Sequence, residues 1–269
     1  MKVTNRVAVI TGAGSGIGRA TAHSLARRGC HLALADIDAA GLQETASMLG
    51  HMAVRVTTHA LDVADREAVR LLPARVLAAH KRVDLLVNNA GVALGGSFEQ
   101  VSEDDFEWLM DVNFNGVVRM TRAFLPLLRQ SDEARIVNVS SIYGIVAPPG
   151  QSAYSASKFA VRGFSNALRH ELDGSSVGVS VVHPGGVATA IARNARVPRG
   201  TPDDETARGR ELAEKLLRLP PEAAGELIAR GIEARQPRIL VGGDAKVAAL
   251  LERLLPVNYW RILKKAAAR

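Results

Sequence analysis

Val7-Ala8-Val9-Ile10-Thr11-Gly12-Ala13-Gly14-Ser15-Gly16-Ile17-Gly18 decides the fold. Four apolar residues, Val7 to Ile10, read as a short strand buried on both faces. Gly12, Gly16 and Gly18 then punctuate a turn. Residues 19–28 have helical composition and stop at Gly29, a C-cap signal. The order is strand, glycine turn, helix. A helix N-terminus presents unpaired N–H groups and a partial positive charge, which suits a pyrophosphate. Glycine lets backbone and phosphate approach with no Cβ between them. The spacing, Gly12-x-x-x-Gly16-x-Gly18, departs from the usual G-x-G-x-x-G. Taken alone, it also reads as a tight turn without a ligand.

Outward from this stretch, strands and helical patterns alternate. Residues 31–36 form a second strand ending in Asp36, at the offset where dinucleotide folds place a carboxylate against the adenosine ribose. A solvated strand end or an N-cap would account for the same residue. A helix over 39–49 ends at Gly50, and 53–61 is a third strand leading to Asp62 and Val63. Residues 64–80 are helical with a kink or break expected at Pro73. Residues 83–87 form a fourth strand, running into Asn88-Asn89-Ala90-Gly91. Residues 106–130 make a long helix carrying Asn113. Residues 135–139 lead into Ser140-Ser141, residues 153–172 are helical, and 177–182 are closed by His183-Pro184-Gly185-Gly186. Residues 238–241 are a short seventh strand. This alternation predicts an α/β fold: one doubly wound, Rossmann-type parallel sheet of about seven strands with helices on both faces. The whole chain, 1–269, reads as one nucleotide-binding domain. Within it, residues 187–235 form a strand-free excursion past the carboxyl ends of the strands, suited to a substrate loop or lid.

Composition narrows the classes further. The 269 residues carry a net charge of +7, but the basic excess is concentrated in residues 246–269, within the basic amphipathic C-terminal extension 244–269. Lys246, Arg253, Arg261, Lys264, Lys265 and Arg269 stand there against Glu252 alone. The body therefore offers no broad nucleic-acid surface. Cys30 is the one cysteine, so no intrachain disulfide forms, and its apolar context suits a buried, inert thiol. No metal-ligand cluster is visible. The first strand starts within a few residues of Met1, leaving no room for a secretory signal. The longest charge-free run, 136–157, is rich in Ser, Gly, Pro and Asn, which is not a membrane span. A cytoplasmic protein is expected.

Tyr154-Ser155-Ala156-Ser157-Lys158 carries the chemistry. On a helix, residues 154 and 158 share a face. Free tyrosine ionises near pH ~10, too high for a base at neutral pH. A nearby ammonium favours the phenolate and lowers that value. A tyrosine and lysine at this spacing are also an ordinary surface pair, so context has to decide.

That context is a set of motifs in one order: Thr11-Gly12-x-x-x-Gly16-Ile17-Gly18, Asp62, Asn88-Asn89-Ala90-Gly91, Asn113, Ser141, Tyr154-x-x-x-Lys158, and Pro184-Gly185 with Thr189. With them the chain resembles the short-chain dehydrogenase/reductase family across residues 5 to about 190. The resemblance implies that Tyr154 is the general acid/base and that Lys158 lowers its pKa and holds the nicotinamide ribose. A positively charged oxidised nicotinamide would add to that effect. It implies that Ser141 orients the substrate oxygen and that Asn113 holds a water linking Lys158 to solvent. A helix-bending asparagine is the other reading of Asn113. Gly12, Ser15, Gly16, Ile17, Gly18, Asp36, Asp62, Val63, Asn89, Ala90, Gly91, Pro184, Gly185, Val187 and Thr189 would line the cofactor together with Tyr154 and Lys158. His183 has no counterpart role and reads as structural.

Asp36 would repel the 2′-phosphate of NADP, and neither Ser15 nor Ile37 offers an offsetting charge, so NAD is the expected cofactor. Arg19 is basic, but helix geometry can aim it elsewhere. Val92, Leu94, Ile142, Tyr143, Val146 and Val187 are expected to form an apolar pocket for a lipophilic or mid-sized secondary alcohol or ketone. Arg193, Arg196 and Arg199 either meet an acidic substrate or stay solvated. An NAD-binding scaffold with little activity is the other function class. The helices over 106–130 and 153–172 are apolar on more than one face, and the resemblance implies a homodimer or homotetramer. In the tail, Val247, Leu250, Leu251, Leu254 and Leu255 recur at helical spacing, Pro256 interrupts, and aromatic, apolar and basic residues follow to Lys265. Such an end either packs on the protein or makes weak contact with an anionic membrane.

Overall fold

The computed structural model describes residues 1–267, without the side chains of residues 205, 210, 212–214 and 265–267; Lys265 as a charge and Arg269 thus lie outside what is described. Seven parallel strands form one sheet: β1 (Val7–Thr11), β2 (His31–Asp36), β3 (Val56–Ala60), β4 (Leu85–Asn88), β5 (Ala134–Val139), β6 (Val177–Pro184) and β7 (Arg238–Val241). Their order is β3-β2-β1-β4-β5-β6-β7. The chain moves outward from β1 in one direction, then returns beside it as β4 and moves outward in the other. The carboxyl ends of β1 and β4 therefore flank the crevice where doubly wound sheets bind ligands.

Every residue of β1, β4 and β5 is buried, as helices on both faces require. On one face, Ala8, Ile10, Leu32 and Leu34 pack with α1 (Gly16–Ala26), α2 (Ala39–Leu49) and α8 (Pro221–Glu233). On the other, Val9, Leu86 and Ile136 pack with α3 (Arg66–His80), α5 (Gly116–Leu128) and α6 (Ser152–Glu171). Phe124 of α5 is wholly buried there; cutting such a ring back to alanine typically costs about 3–5 kcal/mol.

Several boundaries differ from the expected ones, each for a local reason. Gly29 does close α1: its φ is +77°, its N–H donates to Ala26 O at 2.9 Å, and the next N–H, from Cys30, donates to Leu25 O at 3.1 Å. Cys30 is fully buried, and burial pushes its thiol up to about 12. Helix α3 runs through Pro73 without breaking; the proline withholds one N–H from the ladder, but core contacts of Val69, Leu72 and Val76 hold the helix on the sheet. The helix expected over 106–130 is α4 (Glu103–Met110) and α5 joined by one π-helical turn, Asp111–Asn115. The excursion after β6 contains α7 (Asp203–Leu216) and α8, and a short bridge between Val187 and Leu219 keeps residues beyond α7 extended. After β7 come α9 (Gly243–Leu254) and α10 (Tyr259–Ala267), separated at Pro256. Among the described residues no helix is long and apolar enough to cross a membrane.

Candidate active site and cofactor groove

The glycine loop is locked against the end of β4. Asn89 Nδ2 donates to the carbonyls of Thr11 and Gly12, both at 3.0 Å, while Thr11 Oγ1 accepts the N–H groups of Asn89 and Ala90, also at 3.0 Å. Gly12 has φ +65°, and a Cβ there would lie 2.7 Å from Asn89 Nδ2. A Cβ on Gly18 would stand 1.9 Å from Gly12 O. Both positions thus exclude side chains for steric reasons.

Ser15 begins α1 but makes no capping hydrogen bond, whereas Asp38, Asp65 and Ser102 cap α2, α3 and α4 with their side chains. The first turn of α1, with exposed Ser15 and half-exposed Gly16 and Ile17, therefore keeps its donors for the groove. Thr189, beyond β6, approaches from the opposite side: its Cγ2 is 3.1 Å from where a Gly16 Cβ would sit. A nucleotide diphosphate fits this cradle.

Asp36 stands at the rim. Its Oδ2 accepts from Gly14 N at 2.8 Å and its Oδ1 from Asp38 N at 3.0 Å. Arg19 is aimed towards α2: it hydrogen-bonds Gly14 O, pairs with Glu44 at 2.6 Å and donates to Thr45 Oγ1 at 3.0 Å. Asp62 accepts from Ala64 N at 2.8 Å, a turn contact, and Val63 is buried against Gly116. Pro184 ends β6, Gly185 N donates to Val241 O at 2.9 Å, and Val187 is buried in the core.

The π-helical turn points Asn113 inward. Its Oδ1 accepts from Val92 N at 2.8 Å, and its Nδ2 donates to Val92 O at 3.0 Å and Ser157 Oγ at 3.1 Å. This amide is a post that ties α6 to the β4 loop. Gly91 passes between Asn113 and Lys158: a Cβ there would be 3.1 Å from Asn113 Oδ1 and 3.3 Å from Lys158 Nζ.

Tyr154 and Lys158 occupy the first turns of α6, and Ser141 begins the 3-10 turn Ile142–Gly144 that follows β5. Ser141 Oγ accepts from Tyr143 N at 3.1 Å and lies close enough to Tyr154 to favour its ionised form. Lys158 is buried, its Nζ 5.7 Å from the Tyr154 ring centroid and donating to Val139 O at 3.3 Å. Burial dominates both ionisations: it pushes the Tyr154 phenol up to about 12, against the influence of Ser141, and pulls the Lys158 ammonium down to about 8. In the protein alone, desolvation is the larger influence on the Tyr154 phenol.

Three supporting residues carry no motif that would have exposed them. Ser140 Oγ donates to Lys158 O at 2.8 Å. His183 is fully buried and its Nδ1–H donates to Ser141 O at 2.9 Å, holding the main chain at the serine. Asp244 Oδ2 accepts from Gly186 N at 2.6 Å, pinning the start of the excursion. Of the expected pocket residues, Val92, Ile142 and Tyr143 stay partly accessible, and Tyr143 meets the Tyr154 ring edge-on at 6.1 Å. Leu94, Val146 and Val187 do not line an opening. They are buried, Leu94 beneath Leu109 and Ala153, and Val146 beneath Ala248 and Ala249 of α9. Arg193 and Arg199 are exposed. Arg196 is engaged: it pairs with Asp105 at 2.7 Å and stacks 3.6 Å from the Trp108 ring centroid.

Residues 6–199 match the short chain dehydrogenase family. A putative oxidoreductase, SadH, from Mycobacterium tuberculosis is 43% identical over 266 residues, covering 98% of this chain and 96% of its own. A short chain dehydrogenase/reductase from Burkholderia phymatum in complex with NAD superposes with a TM-score of 0.87 at 33% identity, over 94% of each chain. An alcohol dehydrogenase from Thermococcus sibiricus complexed with 5-hydroxy-NADP superposes with a TM-score of 0.75 at 28% identity, over 88% of this chain and 95% of its own. The chain belongs to the short chain dehydrogenase family and is an oxidoreductase of that family.

Proposed function

We propose that this protein transfers a hydride between NAD(H) and a lipophilic or mid-sized secondary alcohol or ketone. The observation that carries the reading is the convergence of Ser141, Tyr154 and Lys158 at the carboxyl ends of β4 and β5, beside the uncapped start of α1. When bound, the dinucleotide supplies the hydride acceptor or donor. Gly12 to Gly18 hold its diphosphate, Asp36 its adenosine ribose, and Asp62 with Val63 its adenine. Asn89 to Gly91 and Lys158 hold the nicotinamide ribose, and Pro184, Gly185, Val187 and Thr189 hold the nicotinamide end. Tyr154 retains its proton in the free protein and is poised to donate it to a substrate carbonyl; in oxidation it takes the proton of the alcohol. Ser141 holds the same oxygen and stabilises charge developing on it. Asn113 fixes the helix that carries both Tyr154 and Lys158.

Asp36 supports NAD over NADP, since its carboxylate occupies the rim where a 2′-phosphate would add like charge. The half-exposed apolar residues Val92, Ile142 and Tyr143 support a lipophilic substrate. Residues 187–235 serve as the lid of one domain spanning 1–269, fastened through Arg196. The half-exposed edge-on pair Phe114, in the π-helical turn before α5, and Phe164 of α6, 6.2 Å apart, supports assembly into a homodimer or homotetramer through these helices.

The test is NADH fluorescence and absorbance on mixing with a panel of aliphatic, steroid and retinoid alcohols and diketones. Turnover on at least one member is expected. Tight NADH binding without turnover across the panel would instead favour a nucleotide-binding scaffold.

A further inference from the structure

Helix α9 is packed with its large apolar residues outward. Ala245, Ala248 and Ala249 face the protein, while Val247, Leu250 and Leu254 are 56%, 57% and 66% exposed. Val257, just beyond Pro256, is 85% exposed, and Ile262 of α10 is also exposed. A helix that existed only to cover the sheet would turn its leucines in and its alanines out. Five large apolar side chains along one end of the chain mark a surface that meets something.

Charge identifies the partner. Lys246 and Arg253 flank the leucines on α9, and Arg261 and Lys264 are exposed on α10. The nearby acids do not answer them: Asp244 is hydrogen-bonded to Gly186 N and Ala245 N, and Glu252 is half-buried with Arg238 within its electrostatic reach. A second copy related by a two-fold axis would bring this basic patch against itself. An anionic lipid surface answers both features, taking the leucines among its acyl chains and the basic residues at its headgroups.

We infer that the outward face of α9, with Val257 and the basic side of α10, docks reversibly on an anionic bilayer. The inner side of α10 is already committed to the protein. Tyr259 Oη accepts from Ala147 N at 3.0 Å, and Tyr259 and Leu263 pack on Ile145 and Val146. Those residues directly follow the turn that begins at Ser141. Docking therefore sets the rim of the substrate site against the lipid, which suits a substrate drawn from the bilayer. That last consequence rests on the function proposed above; the docking itself does not.

Co-sedimentation of the full chain with phosphatidylcholine vesicles, with and without phosphatidylglycerol, tests the inference. Binding is expected only to the phosphatidylglycerol-containing vesicles, falling as salt rises. The variant Leu250→Glu/Leu254→Glu should bind at least about tenfold more weakly, and Lys246→Gln/Arg253→Gln should lose much of the salt dependence. Thermal melts and light scattering accompany each variant. No binding of the parent chain to anionic vesicles overturns the inference, as does parent-like binding by a folded Leu250→Glu/Leu254→Glu variant. A drop in that variant's oligomeric mass without vesicles also overturns it, making the face a contact between copies. Since no measurement here uses turnover, a failed substrate screen leaves this result standing.

Discussion

Asp36 and Gly14 are tied across the groove: the carboxylate at the end of β2 accepts the loop amide at 2.8 Å. The acid that would meet the ribose is therefore held in place by the loop that would meet the diphosphate. Asp38 N holds the other carboxylate oxygen at 3.0 Å.

Cofactor preference follows from that tie. NAD(H) should bind at least tenfold more tightly than NADP(H), which corresponds to about 1.4 kcal/mol. Asp36→Ala should erode the preference mainly by improving NADP(H), because it removes a negative charge and leaves Arg19 beside Gly14. Fluorescence titration with both nucleotides checks this, and equal affinities in the parent protein would overturn the assignment.

The proton-transfer roles separate by variant. Tyr154→Phe should keep the fold and NADH affinity but lose about 10²–10⁴ in turnover, the usual worth of a positioned acid/base. Lys158→Met should lose cofactor affinity as well. Because burial lowers the Lys158 ammonium to about 8, NADH affinity in the parent should weaken as pH rises through that value. The Lys158→Met variant should lack this step; titrations from pH 6.5 to 9.5 decide.

Acid stability should be governed in part by buried histidines. Burial brings His80 and His183 down to about 4 from the ordinary 6.5. The unfolded chain binds their protons first, so the stabilisation is complete above about pH 6.5 and is lost as pH falls towards 4. His80 shares the Thr57 hydroxyl with His59, at 2.9 and 3.0 Å respectively, and protonation of both imidazoles would break that arrangement. Each shift is worth on the order of 3 kcal/mol at about 1.4 kcal/mol per pK unit. Melting temperatures between pH 7 and 4.5 should fall less steeply in His80→Gln than in the parent.

Local signals were legible in the sequence wherever local physics sufficed. The buried strand at Val7 to Ile10, the glycine turn and the cap at Gly29 depend on nearest neighbours, and the seven-stranded parallel sheet followed from strand–helix alternation. The spacing of Tyr154 and Lys158 placed them on one helix. What escaped was non-local or depended on desolvation. Nothing in the residues around Asp244 indicates that it pins Gly186, 58 positions away. Val146 reads as a pocket residue until α9 and α10 are seen to cover it. The i, i+4 spacing puts Lys158 and Tyr154 on one helix face, but it carries no sign of how strongly desolvation acts on both groups.

Arg196 is the clearest case of a charge whose neighbours lie far off in sequence. Among three loop arginines it reads either as a contact for an acidic substrate or as solvated, yet it fastens the excursion to the rest of the protein. Its guanidinium pairs with Asp105 at 2.7 Å and lies 3.6 Å from the Trp108 ring centroid, and its N–H donates to Ala93 O at 2.9 Å. The main-chain bond survives substitution, so Arg196→Ala removes only the ion pair and the stacking. An exposed ion pair contributes about 0.2–1 kcal/mol and a surface cation–π contact about 0.5–1. Losing both should open the excursion several-fold more often. Substrate KM should rise several-fold while NADH affinity changes little, and limited proteolysis should cut within residues 187–235 faster. Arg196→Lys restores the charge without the planar stack and should recover only part of the effect. If KM and the cleavage rate both match the parent, residues 187–235 are held by their backbone contacts alone and Arg196 has no part in closure.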